Sequence, residues 1–244
     1  MTDTTDTIRL AKRVAEELGC SRTEAEQFIE GGWIKVDGVL TEEAGARVND
    51  EQVIVLLPDA VPAPLEPVTI LLHKPAGLRT IDAIDPEQGW ITSETLGPDD
   101  RSGLRFLRRH TKALTLTNPL EDSASGLLVL TQDWRIERAL VQEANRIEQE
   151  FVVEVIGTLN DAAMELLQHG LKWNGKPMTS MKVSWQNEHK LRFAIKAAER
   201  GQIPYLCEKV GLQVVSIKRL RIGRMSMAAL PVGQWRYLLG YERF

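Results

Sequence analysis

The sequence predicts an α+β chain in two parts: a small helix-rich module, then a larger domain built on a largely antiparallel mixed sheet. Three observations carry this reading. Apolar residues recur at helical spacing in the first thirty positions and in strand-like runs afterwards. Four prolines fall within the ten residues Pro58 to Pro67. Beyond them, strand and helix patterns mix without the strict alternation of a parallel βαβ fold.

In the first part, Ile8, Leu10, Ala11, Val14, Ala15 and Leu18 keep a helical period from Thr7 to Leu18, and Gly19 supplies a stop. Ser21 is a good N-cap, and Glu24, three residues on, completes a capping box ahead of Ala25, Phe28 and Ile29. Trp33 to Val36 reads as a strand turning at Asp37-Gly38, and Gln52 to Leu57 as another. The prolines make residues 59–67 a stiff extended connector between a module at 1–58 and a domain at 68–244. In that domain, strand-like runs occur at Val68 to Leu72, Gly126 to Thr131, Phe151 to Val155, Met181 to Trp185, Leu191 to Ile195 and Gln213 to Ile217. Helical patterns lie at Arg135 to Ala144, Asp161 to His169 and Gln202 to Val210.

With 43% hydrophobic and 26% charged residues the chain is an ordinary globular protein, which excludes disordered and coiled-coil classes. No apolar run approaches the roughly 20 residues of a membrane span, and the polar, acidic start lacks the pattern of a secretory signal. Cys20 and Cys207 form no metal-spaced pair and read as reduced core thiols, so the expectation is a cytoplasmic protein away from membranes. Net charge is -4, and residues 1–58 hold six basic against twelve acidic side chains, so nucleic-acid contact there needs a local cluster.

One such cluster exists. Arg9, Lys12 and Arg13 share a helical face, with Arg22 and Lys35 flanking the next helix. Charge spacing alone leaves two readings open, a phosphate grip or a solvated face. The same choice applies to the basic run Arg101 to Lys112. The four histidines lack ligand spacing and read as structural, with no metal site expected. Trp33, Trp173, Trp185 and Trp235 sit in or beside apolar strand patterns and read as core.

The string Arg9-Leu10-Ala11-Lys12-Arg13, with the run Gly19 to Gly38, resembles the RNA-binding module first known from small-subunit ribosomal protein S-four. The resemblance implies that Arg9, Lys12, Arg13, Arg22 and Lys35 face structured RNA. The larger domain resembles the catalytic domain of the RsuA-like group of ribosomal RNA pseudouridine synthases, on the branch that modifies large-subunit RNA. His73-Lys74-Pro75-Ala76-Gly77 is similar to the group's opening N-K-P-x-G, and Ser125 to Thr131 to the strand after its catalytic loop. Cys207-Glu208-Lys209-Val210-Gly211 and Leu230 to Arg236 are similar to its late helix and C-terminal signature. What this implies is a monomer that acts on uridine in ribosomal RNA through a single carboxylate, with no metal or cofactor.

The group writes its catalytic loop G-R-L-D, and counting back from Gly126 sets Asn118-Pro119-Leu120-Glu121 over it. Glu121 thus holds the catalytic position with one methylene more than aspartate. Asp122 is expected to be a poor substitute, because neighbouring side chains on a strand point in different directions. The group's pairing arginine is replaced by Pro119, its lysine and tyrosine by Gln149 and Phe151, and its N-R-Q-I-R-R run by Arg200 to Tyr205. Phe151 is expected to stack on the flipped base. Two functions follow, an active synthase using Glu121 or a catalytically impaired RNA-binding or ribosome-assembly factor. A protein-interaction role for the acidic module is a third.

Overall fold

The computed structural model describes residues 7–85 and 89–244, the side chain of Ile84 apart. The chain divides into two units, one running to Pro67 and joined by Arg105–Lys112, the other made of Val68–Leu104 and Ala113–Phe244.

The first unit contains β1 (Ile8–Arg9), α1 (Leu10–Leu18), α2 (Arg22–Glu30), β2 (Ile34–Val36), β3 (Val39–Leu40), β4 (Arg47–Val48) and β5 (Ile54–Leu56). The helix that the apolar period places from Thr7 begins instead at Leu10, because Ile8 and Arg9 pair antiparallel with Val48 and Arg47. A two-residue strand carries too little periodicity to be seen in sequence. Gly19 closes α1 in a left-handed conformation, at φ 62°. The capping box of α2 is complete: the Glu24 amide donates to Ser21 Oγ at 3.2 Å, and the Ser21 amide to the Glu24 carboxylate at 2.8 Å. Leu10, Val14, Ala25, Ile29 and Ile34 are fully buried between these helices and the β3-β2-β5 sheet. Each of the leucine, valine and isoleucine side chains contributes about 1.5–3 kcal/mol.

Arg105–Lys112 belongs to this unit through its cations. The Arg105 guanidinium donates to Gly32 O at 2.5 Å and lies 5.5 Å from the centre of the Trp33 ring. Arg109 donates to Glu66 O at 3.0 Å. Within this run only Arg108–Thr111 turns, as a short 3-10 helix, so the basic run is not a regular helix; Arg101, Arg105, Arg108 and Lys112 are exposed.

The second unit contains β6 (Thr69–Lys74), β7 (Thr115–Thr117), β8 (Ser125–Thr131), α3 (Trp134–Glu137), β9 (Glu148–Ile156), α4 (Asp161–Glu165), β10 (Lys172–Trp173) and β11 (Lys176–Pro177). There follow β12 (Lys182–Asn187), β13 (Lys190–Lys196), α5 (Gln202–Lys209), β14 (Gln213–Ile222), β15 (Met225–Ser226) and β16 (Trp235–Tyr237). The expected helices at Arg135 and Asp161 are shorter than their apolar patterns, since both α3 and α4 widen into π-helical turns, Arg138–Gln142 and Leu166–Gly170. The main sheet runs β12-β13-β9-β14-β8-β6-β16, with β7 on β8 and β15 on β14.

The pairing is antiparallel except where β8 meets β14 in parallel, Lys218 opposite Ser125 and Arg219 opposite Gly126. This contact explains Gly126. Its φ is 114°, and a Cβ there would fall 2.2 Å from Arg219 O. The parallel seam brings the end of the loop before β8 against Arg219, deep in the sheet.

Candidate functional site

On the first unit, Arg9, Lys12, Arg22 and Arg47 line one open groove of about 510 Å³, with Glu16 at its side. The β1–β4 pairing sets Arg47 directly opposite Arg9, and Arg47 also donates to Thr7 O at 2.9 Å. Arg47 was missed in sequence, where it stands alone, and only strand register brings it to the cluster. Arg13 turns inward instead. Its guanidinium pairs with Glu17 at 2.6 Å and donates to the carbonyls of Asn49, Asp50 and Gln52, the last at 3.0 Å. Arg13 is thus engaged within the unit and ties α1 to the turn before β5. Lys35 sits mid-strand in β2 between Leu40 and Val55, away from the groove-lining residues.

In the second unit the loop before β8 is held at several points. Asn118, at φ 43°, donates its amide to Leu140 O at 3.0 Å. Leu120 is buried in the core, and its carbonyl accepts from Thr80 Oγ1 at 2.8 Å. The Gly77 amide donates to Asp122 O at 2.7 Å. Lys74, fully buried, donates to the carbonyls of Glu121 at 3.2 Å, Asp122 at 3.0 Å and Ala124 at 2.7 Å, and to its neighbour Pro75 at 3.1 Å. Burial lowers the Lys74 pKa from its ordinary value, while the charges of Asp122 and Glu121 oppose that shift. The Lys-Pro-x-Gly motif thus serves as the loop's clamp.

The clamp fixes a turn, closed by the Ala124 amide on Glu121 O at 3.0 Å. Glu121 and Asp122 therefore lie in a turn and not on a strand, so strand alternation does not decide where Asp122 points. Both carboxylates meet one stretch of chain. The Gly201 amide donates to Glu121 Oε1 at 2.6 Å, and Arg200 pairs with Asp122 Oδ1 at 3.1 Å. Asp122 is exposed and Glu121 half-buried.

Arg219 is the residue that sequence reasoning overlooked. It is 1% exposed; Nε donates to Leu127 O at 2.8 Å and Nη1 to Gln149 Oε1 at 3.0 Å. Nη2 is buried without a hydrogen-bond partner among the described residues. Burial pushes its pKa down to about 9, and the Glu121 charge opposes that shift. Local sequence carried little signal, since Arg219 stands in the basic run Lys218-Arg219-Leu220-Arg221 and only the strand pairing shows which of these cations is buried. Gln149 also has a physical account: a lysine seated like Gln149 would bring a second cation onto Arg219, whereas the amide oxygen accepts from it.

Phe151 is 3% exposed and packs with Leu120, Ala124 and Val153. The Arg219 guanidinium lies 5.9 Å from its ring centre. In this state the ring supports Arg219 and has no open face for a base. Beside the loop, a cavity of about 410 Å³ is bordered by Asn118, Pro119, Leu140, Val141 and Arg200.

Residues 8–54 match the S4 domain family. Over 99% of its length the chain is 26% identical to the dual-specificity RNA pseudouridine synthase RluF of Salmonella typhi, covering 78% of that protein. It is 25% identical, over 96% of its length, to the ribosomal large subunit pseudouridine synthase B of Bacillus subtilis, of which it covers 93%. A crystal structure of a pseudouridylate synthase superposes with a TM-score of 0.57 at 18% identity, covering 95% of this chain and 96% of that one, and shows the shared fold. With residues 8–54 matching the S4 domain and similarity along nearly its whole length, the chain is similar to RNA pseudouridine synthases, RluF among them.

Proposed function

We propose that the chain is an RNA pseudouridine synthase that isomerises uridine in ribosomal RNA, with Glu121 as its catalytic carboxylate. The observation that carries this reading is the Glu121 side chain on a clamped loop that leads into the parallel seam of the buried cation Arg219, in a chain alike to such synthases along nearly its whole length. In the reaction the C1′–N1 bond of a flipped uridine breaks and a C1′–C5 bond forms, while the C5 proton is lost and N1 gains one. Nothing is oxidised or reduced, so the step calls for no cofactor. Glu121 supplies the negative charge at the ribose and base. Arg219 lies behind that carboxylate as a buried cation, and Phe151 backs Arg219 from the core.

Drawing the uridine out of its stack costs a few kcal/mol, which contacts elsewhere on the RNA must offset. The groove of Arg9, Lys12, Arg22 and Arg47 is suited to this, since clustered cations gain from phosphate neutralisation whatever the sequence. Lys35, on β2 outside that groove, offers a separate cation to the RNA. The protein acts as a monomer in the cytoplasm. Incubation with unmodified ribosomal RNA followed by mapping of pseudouridine tests the assignment. Product at a defined uridine is expected. Its complete absence on every transcript leaves the alternative, an RNA-binding or ribosome-assembly factor without catalysis.

A further inference from the structure

We propose that the loop Glu199–Gly201 is the positioning device for the Glu121 carboxylate, and that this site is built for glutamate, so that aspartate at 121 works less well. The proposal rests on the assignment of Glu121 as the catalytic carboxylate. Two consecutive residues, Arg200 and Gly201, grip two consecutive carboxylates, Glu121 and Asp122, from about eighty positions away in sequence, one contact through an amide at 2.6 Å and the other through a guanidinium at 3.1 Å.

The gripping loop is itself braced. The Trp173 indole donates to the Glu199 carboxylate at 3.0 Å, the Glu199 amide donates to Gln202 Oε1 at 3.1 Å, and Trp173 stands edge-on to Tyr205 with ring centres 5.3 Å apart. Gly201 caps α5 in a left-handed conformation, φ 77°, which only glycine adopts without strain and which leaves its amide free to serve Glu121.

Chain length decides the rest. Aspartate is shorter by one C–C bond, about 1.5 Å. At the same backbone position its oxygen would stand about 4 Å from the Gly201 amide, outside hydrogen-bond range. Pro119 brings no charge to the loop, whereas Arg200, at the rim of the same cavity, brings one to the adjacent carboxylate. The contact to Asp122 steadies the turn on which Glu121 rides, so Arg200 acts through that turn and is a positioning residue.

The experiment compares the full-length protein with Glu121→Asp, Arg200→Ala and Arg200→Lys on unmodified ribosomal RNA, and follows the Gly201 amide by proton–nitrogen NMR with Glu121→Gln as reference. Displacing a reacting group by about 1 Å costs on the order of a hundredfold, so Glu121→Asp should lower kcat by about ten- to a hundredfold with KM little changed. Arg200→Ala should lower kcat by about two- to fivefold and Arg200→Lys, which keeps the charge, should recover most of it, with folding little changed because the Arg200–Asp122 pair is solvent-exposed. The Gly201 amide proton should resonate downfield in the parent protein and move upfield in Glu121→Gln. Glu121→Asp turning over as fast as the parent, or faster, overturns the proposal, as does a Gly201 resonance indifferent to Glu121→Gln. A parent protein that makes no product while Gly201 still responds to Glu121 keeps the positioning contact and removes the catalytic assignment.

Discussion

Replacing Lys74 by methionine keeps the length and apolar stem of the side chain and removes its three donors. The consequence follows from where those donors go. Four carbonyl oxygens accept from Nζ, three of them, on Glu121, Asp122 and Ala124, within a single turn. A hydrogen bond to a charged group contributes about 1.5–3 kcal/mol, yet the sum is reduced by the cost of keeping an ammonium fully buried. Leaving the acceptors without their partner should therefore destabilise the second unit by about 3–5 kcal/mol. Urea unfolding read through tryptophan fluorescence measures this, since Trp235 is fully buried in that unit. Hydrogen exchange locates it: the Gly77 and Ala124 amides, bonded to Asp122 O and Glu121 O, should lose protection before the strands of the sheet do. A loss below about 1 kcal/mol, with both amides still protected, would refute the clamp.

Three further outcomes are expected. Gly126→Ala places a Cβ 2.2 Å from Arg219 O at φ 114°, so it should cost about 3 kcal/mol or more, read as a fall in thermal midpoint or as insoluble protein. His110, 2% exposed, has its pKa pushed down to about 4 by burial, with Arg109 adding to the effect, and its Nδ1 accepts the Leu107 amide at 3.3 Å. Because the folded pKa is depressed, the neutral ring's contribution is complete above the unfolded value near 6.5 and is lost as pH falls through about 4. The parent should accordingly lose up to about 3 kcal/mol more than His110→Gln across that window in equilibrium unfolding. Replacing Arg22 or Arg47 by glutamine should weaken binding to folded ribosomal RNA and flatten its salt dependence by roughly one counterion each, whereas Arg13→Gln should lower stability and leave the salt slope unchanged.

Much of the fold was legible because its signals are local. The capping box at Ser21 and Glu24, the left-handed Gly19 and the apolar runs of β6, β8 and β13 each follow from a few adjacent residues. What sequence missed depends on register. Ile8 and Arg9 read as helix because their partners lie about forty positions away, and the same pairing hid Arg47 from the groove. The ties of Arg13 inside its unit were hidden because helical spacing reports a face and not the carbonyls waiting beneath it. In the candidate site, Glu121 was legible by counting from Gly126, but the direction of Asp122 was not. Strand alternation was applied to residues that a buried lysine bends into a turn. Arg219 and Gly201 approach that turn from distant strand and helix ends, which no local pattern announces.

Single-turnover formation of pseudouridine on protein-free ribosomal RNA, with the parent and Glu121→Gln side by side, tests the assignment of the carboxylate most directly. The parent should convert one defined uridine, and Glu121→Gln, equal in size and without charge, should convert none while binding the same RNA with similar affinity. Conversion by Glu121→Gln at a rate comparable to the parent, or retention of activity that is lost only in Asp122→Asn, would contradict it.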